Sequence, residues 1–230
     1  MNTIAKRLAQ IRTRITQAEQ RYQRPPGSVK LLAVSKTRPL EDLQILQQCG
    51  QQSFAENYLQ DALPKIAALN ARANEPPEWH FIGPLQSNKT RSVAEHFHWL
   101  HTLERLKIAR RLNAQRPASL PPLNVCIQVN ISADPNKSGV APEDTEALAA
   151  ELATLPGLRL RGLMTLPRRE QDLEQQRRPF RALHELYVQL CQRGFELDTL
   201  SMGMTNDLEA AIAEGSTLVR VGTGLFGARK

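Results

Sequence analysis

The chain has few of the residues that cross-link a fold or carry it through a bilayer. Its three cysteines, Cys49, Cys126 and Cys191, are far apart, odd in number and in no CxxC spacing. That usage suggests neither a disulfide framework nor a bound metal, and it fits a reducing cytoplasm. No apolar run approaches the ~20 residues that cross a membrane. The start of the chain is charged and periodic, without the apolar centre of a secretory signal. Aromatic residues amount to 5% of the chain, and the 30 Lys and Arg residues are scattered, with no basic stripe. With so few rings to stack on bases, the formal charge of +7 reads as a solvated basic surface, and nucleic acid is not expected as a partner.

What is present is an ordinary globular composition, 41% hydrophobic and 23% charged, in a length that suits one unit spanning 1–230. Ile4, Leu8, Ile11, Ile15, Ala18 and Tyr22 recur at spacings of four and three, which puts one apolar stripe on a first helix that ends at the Pro-Pro-Gly of 25–27. From there β-rich runs alternate with helical patterns. The strand candidates are 29–35, 53–55, 79–82, 98–101, 123–130, 158–163, 199–201 and 217–221. Runs such as 31–34 and 125–129 are nearly continuous in apolar character, as expected for strands covered on both faces. Pro39, Pro142 and Asp207 lie near helix starts. Eight βα units in this length predict a closed (β/α)8 barrel with an extra N-terminal helix.

In such a barrel the chemistry lies at the C-terminal ends of the strands. Lys36 follows the first strand, Asn57 the second, 201–205 the seventh and Gly222-Thr-Gly224 the eighth. Loops after strands seven and eight often bind phosphate; here the first offers a hydroxyl at each end, and the second lets backbone N–H groups approach an anion closely. A lysine ending an apolar strand can be desolvated, which lowers its pKa and frees the amine to attack an aldehyde. Lys36 and the phosphate loops together predict a ligand bearing both a carbonyl and a phosphate. Arg220, inside an otherwise apolar strand, requires either an ion pair or a role beside that ligand. His96, His98 and His101 are close in sequence, but their spacing across a helix end and a strand sends the rings apart, so no metal site is expected.

Through Leu32-Ala-Val-Ser-Lys-Thr37, Ala55-Glu-Asn-Tyr58, Trp79-His-Phe-Ile-Gly83, Leu85-Gln-Ser-Asn-Lys89, Lys137-Ser-Gly139, Arg161-Gly-Leu-Met164, Ser201-Met-Gly-Met204 and Val219-Arg-Val-Gly222, the chain closely resembles the YggS/PROSC family. These are pyridoxal 5′-phosphate (PLP) homeostasis proteins related to the barrel domain of alanine racemase. The resemblance covers nearly the whole chain. It implies that Lys36 holds PLP as a Schiff base, that Ser201, Gly222 and Thr223 hold the cofactor phosphate, that Asn57 lies beside the ring and that Arg220 faces the pyridine nitrogen. The chain departs from the family's usual pattern at Ala55, Thr205 and Gly224, each time keeping the small size or the hydroxyl. His80 and Met164 are typical of the family, and packing at the barrel mouth accounts for them as well as ligand contact does.

The resemblance also implies PLP carriage and homeostasis without an established reaction. A racemase needs a base on each face of the bound substrate. Of Tyr22, Tyr58 and Tyr187, two fit helix faces and Tyr58 has no clear route to the far face. The expectation is a cytoplasmic, monomeric, non-catalytic PLP reservoir that supplies PLP-dependent apoenzymes. The alternative is an amino-acid enzyme of racemase type. Lys137, in the loop after strand five, is a second lysine that could take PLP transiently.

Overall fold

The computed structural model describes residues 3–71 and 75–227; positions 1, 2, 72–74 and 228–230 of the expected 1–230 unit lie outside them. Its eight strands are β1 (Lys30–Val34), β2 (Ser53–Glu56), β3 (Glu78–Phe81), β4 (Trp99–Leu103), β5 (Leu123–Gln128), β6 (Leu158–Met164), β7 (Thr199–Ser201) and β8 (Leu218–Val221). All pair in parallel and in sequence order, and β1 closes on β8 with Lys30 opposite Leu218 and Ala33 opposite Val221. The predicted eight-stranded barrel with its leading helix is the observed architecture. Among the described residues, no helix is long and apolar enough to cross a membrane.

The predicted strands shift at their ends, and the hydrogen bonds explain why. Val129 and Asn130, expected in β5, lie past its end: Val129 keeps one bond to the Met164 carbonyl at 2.8 Å but forms an isolated bridge with Val140, and the Asn130 side-chain amide donates to the Asp134 carbonyl at 2.8 Å. His98, expected to open β4, stays outside it with Nδ1 accepting the Trp79 N–H at 2.9 Å, while β4 runs on to Leu103. β6 extends to Met164, which faces Gln128 and Ser201.

Helix α1 (Thr3–Arg21) buries Ile4, Leu8, Ile11, Ile15 and Ala18 of the predicted stripe, while Tyr22 lies just past its end, half-buried against the core. Its Glu19 is buried as well. That carboxylate accepts the N–H of Val29 at 2.9 Å, the N–H of Gly27 at 3.2 Å and the Ser28 hydroxyl at 3.3 Å, so it ties the turn that leads into β1. Helices α2 (Leu40–Gln48) and α8 (Leu208–Ala213) start directly after Pro39 and Asp207, and Pro142 opens a 3₁₀ turn before α6 (Thr145–Ala153), as the sequence indicates. Helix α3 (Leu59–Asn70) follows β2, and α4 (Thr90–His96), α5 (Leu106–Gln115), α7 (Leu173–Gln192) and α9 (Thr223–Phe226) complete the set used below.

Most buried apolar side chains fill the layer between strands and helices, with Phe54 and Trp79 in ring contact at 5.7 Å. Inside the barrel the filling is different. Leu32, Val34, Ala55 and Leu218 form one small apolar cluster and Trp99, Cys126 and Met164 another. Between them lie His80, His101, Ser201 and Arg220, all buried. The strands are covered on both faces, as expected, but the inner face is partly polar.

Candidate functional site

A cavity of about 400 Å³ opens at the C-terminal end of the barrel. Five of the six residues predicted to bind a cofactor line it: Lys36 after β1, Asn57 after β2, Arg220 on β8, and Gly222 and Thr223 at the start of α9. Met164 also reaches the wall. Ser201 does not. Its fully buried Oγ lies deeper, where it accepts from Arg220 Nη1 at 2.7 Å and contacts His101 Nδ1 at 2.8 Å. His80 likewise sits inside the barrel, away from this cavity.

Local structure aims each of these groups. Thr37 follows Lys36 with φ 62°, a left-handed conformation that β-branched residues rarely adopt. Ser35, just before Lys36, points outward: its hydroxyl donates to Glu56 Oε1 at 2.7 Å. Lys65 of α3 donates to the same carboxylate oxygen at 2.7 Å and to the Ser35 carbonyl at 3.0 Å. This buried trio locks the ends of β1 and β2, so Lys36 and Asn57, one residue further on, turn inward. Burial pushes the Glu56 carboxyl above its ordinary range, and the bonds from Lys65 and Ser35 pull back only part of that. A Cβ at Gly83 would overlap the Asn57 carbonyl, so the glycine lets the β3 turn close over Asn57.

The two loops predicted to bind phosphate are joined. Thr205 Oγ1 accepts the Gly224 N–H at 3.1 Å, and Arg14 of α1 donates to the Thr205 carbonyl at 2.9 Å while pairing with Glu209 at 2.8 Å. The N-terminal helix therefore braces the loop. Gly203 has φ 96°, and a Cβ there would strike Ala211, so the turn after β7 requires glycine.

Arg220 is 4% exposed, and its two hydrogen bonds go to neutral groups, Ser201 Oγ and the Thr165 carbonyl at 2.9 Å. The ion-pair alternative for this residue thus finds no carboxylate in contact among the described residues. Burial lowers its pKa to about 10, against the opposing pull of Asp207 and Cys126. The cavity collects further cations the sequence did not single out: Arg38, which donates to the Gly227 carbonyl at 2.6 Å, and Arg169. Asp207, expected only as a helix start, is the one carboxylate among the described lining residues, and its Oδ1 accepts the Met204 N–H. Their signal was position, since each follows a strand by a few residues. The lining is thus strongly electropositive, which suits a phosphate. Asn57 Oδ1 is buried there without a hydrogen-bond partner among the described residues, an acceptor left over for a ligand.

The remaining candidates separate. His96 is exposed at the end of α4, with Nδ1 on the Ser92 carbonyl, whereas His98 lies beside Trp79 and His101 inside the barrel. Lys137 donates to the Leu166 carbonyl at 2.9 Å, and burial lowers its pKa. Among the described lining residues there is no tyrosine. Tyr58 is 58% exposed, Tyr187 donates to the Leu197 carbonyl, and Tyr22 packs against the outer core.

The chain is similar to known proteins in sequence and in fold. Residues 7–230 match the family described as alanine racemase, N-terminal domain. A pyridoxal phosphate homeostasis protein of Pseudomonas aeruginosa is 55% identical over 229 residues, covering 100% of this chain and 97% of its own. PipY of Synechococcus elongatus, solved with PLP bound, superposes with a TM-score of 0.83 at 34% identity over 98% of this chain and 100% of its own. An alanine racemase from Corynebacterium glutamicum shares the fold at a TM-score of 0.71 and 16% identity, over 98% of this chain and 61% of its own. The chain belongs to the alanine racemase N-terminal domain family and, within it, to the YggS/PROSC group of pyridoxal phosphate homeostasis proteins.

Proposed function

We propose that this chain binds PLP covalently and reversibly through Lys36, and that it acts as a cytoplasmic carrier or reservoir of the cofactor for PLP-dependent apoenzymes. One observation carries the reading: Lys36, Arg220 and the Gly222-Thr223 turn face a single cavity of about 400 Å³ at the catalytic end of the barrel. PLP bound there would contribute a reactive aldehyde and, when its ring nitrogen is protonated, an electron sink.

The protein's side chains restrict that chemistry. Lys36 would hold the aldehyde carbon, the N–H groups of Gly222 and Thr223 would hold the phosphate, and Asn57 would lie beside the ring. Ser201, buried behind the wall, holds Arg220 and leaves the phosphate to α9. Arg220, a buried cation on the cavity wall, would face the pyridine nitrogen and disfavour its protonation, which would weaken the electron sink. The described lining residues supply no tyrosine base opposite Lys36. Both features support carriage over turnover. The thiols of Cys49, Cys126 and Cys191 are free, which supports the reducing compartment.

Titration of the purified protein with PLP tests the reading. A visible band should grow to one equivalent in the native protein and be absent in Lys36→Ala. The holoprotein should then leave a panel of amino acids unracemised, undecarboxylated and untransaminated. Turnover that disappears in Lys36→Ala would replace the carrier with the amino-acid enzyme.

A further inference from the structure

The barrel interior holds a continuous row of polar contacts that the cofactor site does not explain. It begins at the cavity with Arg220, whose Nη1 donates to Ser201 Oγ at 2.7 Å. Ser201 Oγ lies 2.8 Å from His101 Nδ1, His101 Nε2 lies 2.9 Å from His80 Nδ1, and His80 Nε2 lies 3.1 Å from Glu78 Oε2. Ser201, His101 and His80 are at most 1% exposed. Glu78 emerges at the opposite, N-terminal opening of the barrel with its side chain 41% exposed, and its second oxygen accepts from Trp99 Nε1 at 2.8 Å.

The chemistry of the two ends sets every proton between them. Arg220 can only donate, and an ionised Glu78 can only accept. The ionised Glu78 requires the His80 proton on Nε2, so a neutral His80 accepts at Nδ1 from His101 Nε2. A neutral His101 then accepts at Nδ1 from the Ser201 hydroxyl, whose lone pair takes the Arg220 donor. A single arrangement with two neutral imidazoles satisfies all four contacts. Because a guanidinium has no lone pair to offer, the row cannot pass a proton to Arg220; it can only hold and polarise it.

We propose that Ser201, His101, His80 and Glu78 form an ordered hydrogen-bond chain along the barrel axis that positions Arg220 at the cofactor, with Glu78 at the far mouth as its anionic end. The proposal rests on the reading that PLP binds beside Arg220. His80 and His101 are positioning residues, since neither lines the cavity. Burial holds both imidazoles below their ordinary pKa, and Glu78 lies below the carboxylate range because bonds from His80 and Trp99 outweigh its desolvation. The other charged or titratable groups around the row are Lys30, His98, Cys126, Arg161, Asp198 and Asp207. His80 also stacks on Trp99 at 5.4 Å, a contact that phenylalanine would keep.

Nitrogen-15 NMR of the native protein should find His80 and His101 neutral and protonated on Nε2. Addition of PLP should move the His80 ring signal, although that ring is outside the cavity. His80→Phe and Glu78→Gln should each weaken PLP binding about three- to tenfold, the loss of roughly one net hydrogen bond. Both should also shift the pH midpoint of the visible band by about half a unit or more, a change that simple loosening of the core would not produce. Glu78, at the opening, serves where His80→Phe fails to fold. A proton on Nδ1 of either ring, or an unchanged affinity and pH midpoint in a folded variant whose Lys36 still takes the cofactor, would overturn the chain alone. Failure of native Lys36 to take PLP would overturn the cofactor reading and the positioning role with it.

Discussion

At the scale of residues, the site depends on a few side chains held against their preferences. Thr37 accepts φ 62° directly after Lys36, at a cost of about 1–2 kcal/mol, and the turn it makes directs the lysine inward. Buried histidines carry another cost. His80, His98 and His101 all have pKa values lowered first by burial, so below the unfolded value of about 6.5 the unfolded chain binds more protons than the native one. Stability is therefore complete above that pH and falls as pH drops through it. The midpoint of thermal unfolding should be lower at pH 5.5 than at pH 7.5, and an equal or higher midpoint at pH 5.5 would contradict the burial of neutral imidazoles. Lys36 and Asn57 were legible as residues following strands. Glu78, His80 and His101 were not, because a polar residue inside a short strand can face either the helices or the axis. The signal was their i, i+2 pairing with inward neighbours: Glu78 with His80, and Trp99 with His101.

At the scale of elements, two contacts fix the strand ends that present the site. The buried Lys65–Glu56 bridge at 2.7 Å joins α3 to β2 and holds the Ser35 carbonyl. Lys65→Met keeps the volume but leaves Glu56 without its cation, and should cost about 3 kcal/mol or more in a denaturant melt. A loss under about 1 kcal/mol would mean that Glu56 is held by other groups. Gly83→Ala should displace the Asn57 backbone, destabilising the fold by roughly 2 kcal/mol and weakening PLP binding, whereas Gly27→Ala, with open space around it, should leave binding unchanged. Element order was readable because strands and helices alternate in hydrophobic period, and Pro39 and Asp207 stand at the helix starts they marked. Strand limits were less readable, since pairing stops where a neighbour turns away, as at Val129, and nothing local marks that point.

At the scale of the molecule, barrel closure brings residues 36, 38, 57, 164, 169, 204–207, 220, 222 and 223 to one cavity, with four basic side chains and one acid among its described lining residues. Such a lining should be stabilised by its ligand. With PLP at a hundredfold excess over its dissociation constant, the native state should gain about 2.7 kcal/mol. For a chain of this length that corresponds to a rise of roughly 5–10 °C in unfolding temperature. Lys36→Ala should lose most of that rise, and an equal rise in both proteins would assign the effect to other sites. The closed barrel was legible from eight alternating units, while the polar axis became visible only once the strands were set in register. The most direct test of the account is borohydride reduction of the PLP-loaded protein followed by peptide mapping. The account predicts one stable pyridoxyl adduct, on Lys36; label spread over surface lysines, or concentrated on Lys137, would contradict it.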